Sequence, residues 1–348
     1  DFYQKSGPQG KKIDRNLNVD SIELIGPLGV LPESLPEFHT RFFQPPIDPA
    51  ATVTKQTEAI KKLLNSLSSR AFRRRATVTE VESLGRIFSL ARRNGETVER
   101  STQLAVAALL VSPSFLFRME MDPDPGAARD LNDFELATRL SYFLWSSMPD
   151  DELFAAAARG ELHTEKQLVQ QARRMLKDDR VEALVENFAG QWLQLRGLEE
   201  VSPSRKKFPT FDDQLREAML RETELFFRTI VSDNRSILDF LDADYTYVND
   251  RLAKHYGISG VSGPEFKRVS LEGGRRGGLL GQASILTVTS DPTRTSPVKR
   301  GKWILENLFD APPPEAPPDV PQLVDGDSTQ LTGSLREQME KHRKDPAC

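Results

Sequence analysis

Between residues 53 and 120 the apolar positions recur at helical spacing. Ile60, Leu63, Leu64 and Leu67 fall at i, i+3, i+4 and i+7, one face of a helix. Thr77-Val78-Thr79-Glu80 has the form of a capping box, and Val78, Val81, Leu84, Ile87 and Phe88 continue the apolar stripe behind it. A third helix is expected from about Val98 to Leu110, with Pro113 as its stop. The same period returns after residue 131. Asn132-Asp133-Phe134-Glu135 caps a helix running through Trp145. Pro149 is placed at the first helical position of the next, with Asp150, Asp151 and Glu152 behind it at the positive helix end. Thr164-Glu165-Lys166-Gln167 starts another. Further helices are expected at about 180–195, 210–232, 249–256 (closed by Gly257), 276–287 and 297–309. Tyr245–Val248 is a short strand or a loop, and a short strand is expected at Phe266–Leu271.

Breaks in this pattern divide the chain. Residues 1–30 end in an alternating, β-branched run, Leu17 to Ile25, stopped by Gly26-Pro27. This reads as a short β remnant, the C-terminal strand of an upstream β-sandwich-like domain. Residues 31–52 are a Pro-rich linker, 53–120 a small helical domain, 121–131 a linker and 132–310 a larger helical domain. Residues 311–333 form a second Pro-rich linker, and 334–348 begin a new amphipathic helix. The expected fold class is therefore mainly α: multi-helical, two helical domains, with β structure confined to the N-terminal remnant and short strands.

Composition narrows the function classes. The chain has 348 residues and a formal net charge of -4, so no global basic field points to nucleic acid. No apolar run approaches the ~18–20 residues of a membrane span. The chain opens at Asp1 without a basic-then-apolar leader, which reads as a piece of a larger protein. Its one cysteine, Cys348, excludes an internal disulfide, and its 4 histidines lie apart without metal-ligand spacing, so no metal site is expected.

Local chemistry concentrates at 275–302. Arg275, Arg276, Arg294, Lys299, Arg300 and Lys302 face a single acid there, Asp291, beside Gly-rich and Thr/Ser-rich turns. Arg275, Arg276, Arg294, Thr295, Ser296, Lys299 and Arg300 are the candidate anion or partner site. Ser296-Pro297-Val298-Lys299 and Ser232-Asp233-Asn234 echo an acyl-enzyme signature, but in the wrong order and without its Lys-Thr-Gly member. Ser296 before Pro297 fits a helix N-cap better. Trp145, Trp192 and Trp303 lie on apolar stripes and are assigned to the core. Arg70, Arg73, Arg74, Arg75, Arg92 and Arg93 are assigned to an exposed face.

Two blocks are distinctive: Arg139-Leu140-Ser141-Tyr142-Phe143-Leu144-Trp145-Ser146-Ser147-Met148-Pro149-Asp150-Asp151-Glu152-Leu153, and Gly278 to Ser290 continuing through Pro292-Thr293-Arg294-Thr295-Ser296-Pro297 to Pro314. With Ala71-Phe72-Arg73-Arg74 and Leu110 to Leu116, they resemble the planctomycete-type multidomain cytochrome c proteins built from serial domains of unknown function. The resemblance covers roughly residues 55–348. It implies an exported, periplasmic protein in which this chain is a helical scaffold or substrate-holding module, with electrons passing through haems outside it. It also implies that His342 to Cys348 approach a Cys-x-x-Cys-His attachment, with Cys348 as its first cysteine. Haem c is then expected in the intact protein and none within this chain. The expected partners are a redox protein or an acidic polysaccharide. A polysaccharide-acting enzyme with an accessory cytochrome, or a purely architectural module, stand as alternatives, and whether the chain is an enzyme is left open.

Overall fold

The computed structural model describes residues 47, 48, 50–120, 129–271, 276–314, 336, 337, 339 and 340. The expected strand at Leu17–Ile25, Arg275 and Cys348 lie outside them. The chain divides into two compact units, Asp1–Phe117 and Arg118–Cys348.

The first unit is a helical hairpin stack: α1 (Val53–Ala71), α2 (Val78–Arg93), α3 (Val98–Leu110) and the short α4 (Pro113–Leu116). Its core holds most of the stripe read from the sequence, with Ile60, Leu64, Leu84 and Phe88 buried beside Ala105 and Leu109, whereas Val78 and Ile87 of that stripe are exposed. The capping box is formed in full, Thr77 receiving the Glu80 amide and Glu80 reaching back to Thr77. Two expectations change. Pro113 does not stop α3, which ends at the Val111 cap. Ser112 caps α4 and Pro113 occupies its first position, where a missing N–H costs nothing. Arg73 is not on an exposed face. It is buried at φ 57°, and its guanidinium donates to the carbonyls of Ser114 (2.8 Å), Phe115 (3.1 Å) and Phe117 (2.8 Å). These are the carbonyls a short helix leaves unsatisfied, so one cation closes the end of α4.

The second unit runs α5 (Asp133–Trp145), α6 (Asp151–Ala158), α7 (Glu165–Leu176), a broken helical stretch, α10 (Asp213–Ser232), α11 (Asp239–Asp242), β1 (Tyr245–Val248), α12 (Asp250–Tyr256) and β2 (Lys267–Ser270). It closes with α13 (Ala283–Val288), β3 (Ser290–Asp291), β4 (Arg294–Thr295) and α14 (Pro297–Leu308). The broken stretch, expected as one helix, is a 3₁₀ turn, α8 (Glu182–Leu184), a π-helical turn (Val185–Ala189) and α9 (Gly190–Trp192). Pro149 precedes the helix rather than opening it: Asp150 is the N-cap of α6, accepting from the Leu153 amide. Its carboxylate also receives Arg174 and Arg180, so capping and cross-linking fall on one acid.

Long α10 is the spine. One side of it packs Phe226, Phe227 and Ile230 into the main core, meeting α7, the π-helical turn and β1. Its N-terminal half meets β1 and α12 through Leu215, Met219, Val248 and Leu252. β1 and β2 pair antiparallel with Tyr245 opposite Ser270, and β3 and β4 form a two-residue ribbon. Trp145 and Trp303 are buried as expected. Trp192 is half-buried, stacked between Phe188 and Phe240, and donates Nε1–H to the Asn307 carbonyl (2.7 Å).

The helix expected at 276–287 begins late. Gly278 takes φ 52° directly beneath the backbone of Phe240 and Leu241, a 3₁₀ turn (Leu279–Gly281) follows, and Gln282 is extended before α13 starts. Any side chain at 278 would collide with the Phe240 carbonyl. Gly278→Ala is therefore expected to lower stability by at least ~2 kcal/mol, read as an earlier urea midpoint, whereas Gly301→Ala, in open space on α14, is expected to be neutral or stabilising.

Candidate functional site

The apolar stripe of α10 places Leu215, Met219, Glu222, Phe226 and Ile230 on one face. One member is an acid. Glu222 is 1 % exposed, and both its oxygens are occupied: Oε1 accepts from Thr246 Oγ1 (2.5 Å) on β1, Oε2 from the Tyr256 hydroxyl (2.5 Å) at the end of α12. The Tyr256 oxygen in turn accepts from the Ala283 amide (2.8 Å) at the start of α13. The Arg276 guanidinium lies 4.1 Å from the centre of the Tyr256 ring and donates to the Gly281 carbonyl (2.9 Å). Beside Glu222, fully buried Thr223 donates to Gln282 Oε1 (2.7 Å). Having one proton, it then accepts from Ser284 Oγ (2.6 Å). Two adjacent polar clusters, linked through the Gln282–Ala283 backbone, thus tie α10, β1, α12 and the turn into α13 inside an apolar core, with Gln282 Nε2 buried there without a hydrogen-bond partner among the described residues.

Burial pushes the Glu222 carboxyl up to about 7, against the two hydroxyl donors and the positive Arg276 that favour its charged form. The Tyr256 phenol is held well above its ordinary value, first by burial and then by the Glu222 charge. His255, in edge contact with Tyr256, is pushed down by burial and by Arg276 and Arg251. No reactive atom of the Glu222 carboxyl is left unbonded, so its chemistry here is to lock elements together with a proton that leaves near neutrality.

The basic stretch is divided by the fold. Arg294 (3.0 Å) and Lys299 (2.5 Å) converge on Asp291, the lone acid of that stretch, across the β3–β4 ribbon. Arg300 Nε sits 3.5 Å from Thr289 Oγ1, and Thr295 is exposed between them. Ser296 is the buried N-cap of α14, its hydroxyl accepting from the Lys299 amide, so the Ser-x-x-Lys pair is a helix start. Arg276 is engaged elsewhere, in the Glu222 network. Ser232, Asp233 and Asn234 finish α10, with Asn234 at φ 50°. Among the described residues no group of three or more His, Cys, Asp and Glu could hold a metal ion.

Glu222, Thr223, Thr246, Tyr256 and Gln282 were not singled out from the sequence. One signal existed: Glu222 falls on the apolar stripe of a long helix, where an acid needs partners. Its partners Thr246 and Tyr256, 24 and 34 positions away along the chain, and those of Thr223, 59 and 61 positions away, are not visible locally.

Three family models match. PSD5, a protein of unknown function (DUF1595), covers residues 59–120. PSD4, a protein of unknown function (DUF1592), covers 131–258. PSCyt3, a protein of unknown function (DUF1588), covers 276–348. The chain belongs to the planctomycete-type cytochrome c family of serial-domain proteins. No curated protein and no solved structure matches it. Set on the fold, the Glu222 network spans two of the family's segments. Glu222, Thr223, Thr246 and Tyr256 belong to PSD4, whereas Arg276, Gln282, Ala283 and Ser284 belong to PSCyt3. Trp192 and Asn307 repeat the pattern, and the core carries Leu279, Ile285 and Trp303 of PSCyt3 among PSD4 side chains. Two serial segments of this family member share one core.

The network makes stability depend on pH in a defined direction. Glu222 has a folded value raised to about 7 from an ordinary 4.5, so the folded state holds its proton more tightly. That contribution is full below the ordinary value and is lost as pH rises through about 7, a change on the order of 3 kcal/mol. Urea unfolding between about pH 5 and about pH 8 is expected to show this loss in the wild type and not in Glu222→Gln. Equal slopes in the two proteins would contradict it.

Proposed function

We propose that the fused PSD4–PSCyt3 unit is a helical scaffold, or substrate-holding module, of an exported multidomain c-type cytochrome, and that it presents the segment leading to Cys348. The single observation supporting this is the Glu222 network across the two family segments. It spends a buried carboxylate, two hydroxyls and an arginine on joining them. α14 and the Trp192–Asn307 bond continue the same join toward the Pro-rich run that begins at Pro312. Among the described residues no helix is long and apolar enough to cross a membrane.

In this reading Cys348 forms the first thioether of a Cys-x-x-Cys-His site. One thiol is half of a two-thioether attachment, and Cys348 is the one cysteine of the sequence. The residues present therefore do not fit a haem by themselves, and the electron-transfer role rests on haems outside this chain.

Expressing the gene extended past Cys348 with haem-attachment machinery tests the assignment. Covalent haem is expected on a denaturing gel. Cys348→Ser should leave one vinyl unsaturated and move the reduced α-band to longer wavelength. A following sequence without Cys-x-x-Cys-His, or a band that Cys348→Ser leaves in place, removes the assignment.

A second reading concerns partners. Arg294 and Lys299 meet at Asp291 and Arg300 lies next to Thr289, so we assign Arg294, Thr295, Ser296, Lys299 and Arg300 to a surface facing an acidic polysaccharide or redox partner. Arg276, held against Tyr256 and the Gly281 carbonyl, is not part of this surface. Calorimetry with a sulfated oligosaccharide is expected to show salt-sensitive binding that Arg294→Ala weakens by ~1.5–3 kcal/mol. Equal affinity in both proteins, or no heat in either, removes this reading.

A further inference from the structure

α7 is anchored by little. Met175 is its one fully buried residue, with Leu168, Ala172 and Leu176 partly covered. Its outer face repeats every seven residues. Val169 and Leu176 form one row and Lys166 and Arg173 another, with Lys177 a turn beyond Arg173. The rows extend along roughly 16 Å of helix at 1.5 Å per residue. Two clefts follow this face, of about 510 Å³ and about 430 Å³, and Arg173 lines both. The second cleft ends against Val231 and Asn234, where α10 stops. Val169, 40 % exposed, is the aliphatic side chain of the first cleft, and Leu176, whose other side packs on the core, and Val231 are those of the second.

The charges of this face are unmatched. The neighbouring arginines are all neutralised within the fold: Arg174 by Asp150 and Glu152, Arg180 by Asp150 and Asp178, and Arg228 by Asp179 and Glu182. Among the described residues, the side chains of Lys166, Arg173 and Lys177 make no ion pair or hydrogen bond, although Glu165 and Asp233 line the same clefts. Three uncompensated cations along one helix repel each other and favour an anionic occupant. A small oxyanion would leave the aliphatic row unused. A glycan would find no aromatic ring in either lining on which to stack. An apolar row of heptad period flanked by like charges is what an amphipathic helix of opposite charge covers.

We propose that this face of α7, with the end of α10, docks an acidic amphipathic helix of a partner protein. The docked helix sets aliphatic side chains on Val169, Leu176 and Val231, and carboxylates on Lys166, Arg173 and Lys177. The site is separate from the Asp291 ribbon and does not depend on the haem assignment.

The test uses the whole chain and a fluorescein-labelled Glu/Leu-rich helical peptide with leucine at a and d positions, read by anisotropy. A scrambled peptide of the same composition and a sulfated oligosaccharide serve as competitors. Saturable binding that weakens with salt is expected. The double variant Arg173→Glu/Lys177→Glu, and separately Val169→Asp, should weaken it by roughly tenfold or more, with unchanged circular dichroism, because both sites are exposed. Arg294→Glu should leave it unchanged. Absence of binding overturns the proposal. So does equal binding of the scrambled peptide, which marks charge without a seam. Binding of the oligosaccharide alone at this face assigns the groove to a glycan and likewise overturns it.

Discussion

A single carboxylate placed on the apolar face of α10 sets the terms for the rest of the second unit. A buried Glu is tolerated only where donors surround it, because transfer of an unpaired charge from water to the core costs several kcal/mol. Glu222 meets that demand with Thr246 and Tyr256, and each brings a backbone element with it. β1 must present Thr246 inward, so its register against β2 is fixed. α12 must end at Tyr256, so Gly257 turns the chain in the left-handed conformation directly afterwards. The Tyr256 oxygen then holds the first amide of α13, which explains why that helix starts only after an extended Gln282.

Such a lock is specific rather than strongly stabilising. Replacing a satisfied buried polar network by apolar side chains is often neutral in free energy, whereas removing one member leaves the others stranded. Its value lies in admitting one arrangement of PSD4 against PSCyt3. Apolar contacts alone, such as Leu279 and Ile285 against Phe226, would accept a sliding interface more readily. Burial also leaves the carboxyl poised near neutrality. The join between the two family segments is therefore sensitive to pH in a range where an ordinary surface carboxylate would not change.

Cations elsewhere show the same division between closing the fold and facing outward. Arg73 satisfies three carbonyls at the end of α4, and Arg174 and Arg180 brace the Asp150 cap. Arg180 additionally lies 3.5 Å over the Trp145 ring. Lys166, Arg173 and Lys177, by contrast, hold no side-chain ion pair or hydrogen bond within the described residues and lie along one face of α7. Arg294 and Lys299 share one acid. A count of charges along the chain does not separate these classes, since all are arginines and lysines on helices or turns.

The sequence by itself determined the helices, because their signals are local. The Thr77 and Asn132 capping boxes, the Thr164 cap, the Ser296-Pro297 start and the stripe from Ile60 to Leu67 each reside within one or two turns, and each is where the periodicity placed it. At Tyr245–Val248 local signals left a strand or a loop open, and the fold makes it a strand; the family came through the resemblance of two longer blocks. The local signals erred at Pro113 and Pro149 by one cap position, and at 180–195 and 276–287, where tertiary contacts bend or delay a helix. Only the tertiary structure decided which charges are buried. Arg73 went from a supposed surface row into the core, and Arg276 left the basic stretch for Tyr256. Glu222, legible as an acid on an apolar stripe, became a site only when Thr246, Tyr256 and Gln282 arrived from other elements. The physical reason is that capping and amphipathicity act over a few residues, whereas desolvating a charge depends on every group the fold brings within hydrogen-bonding distance.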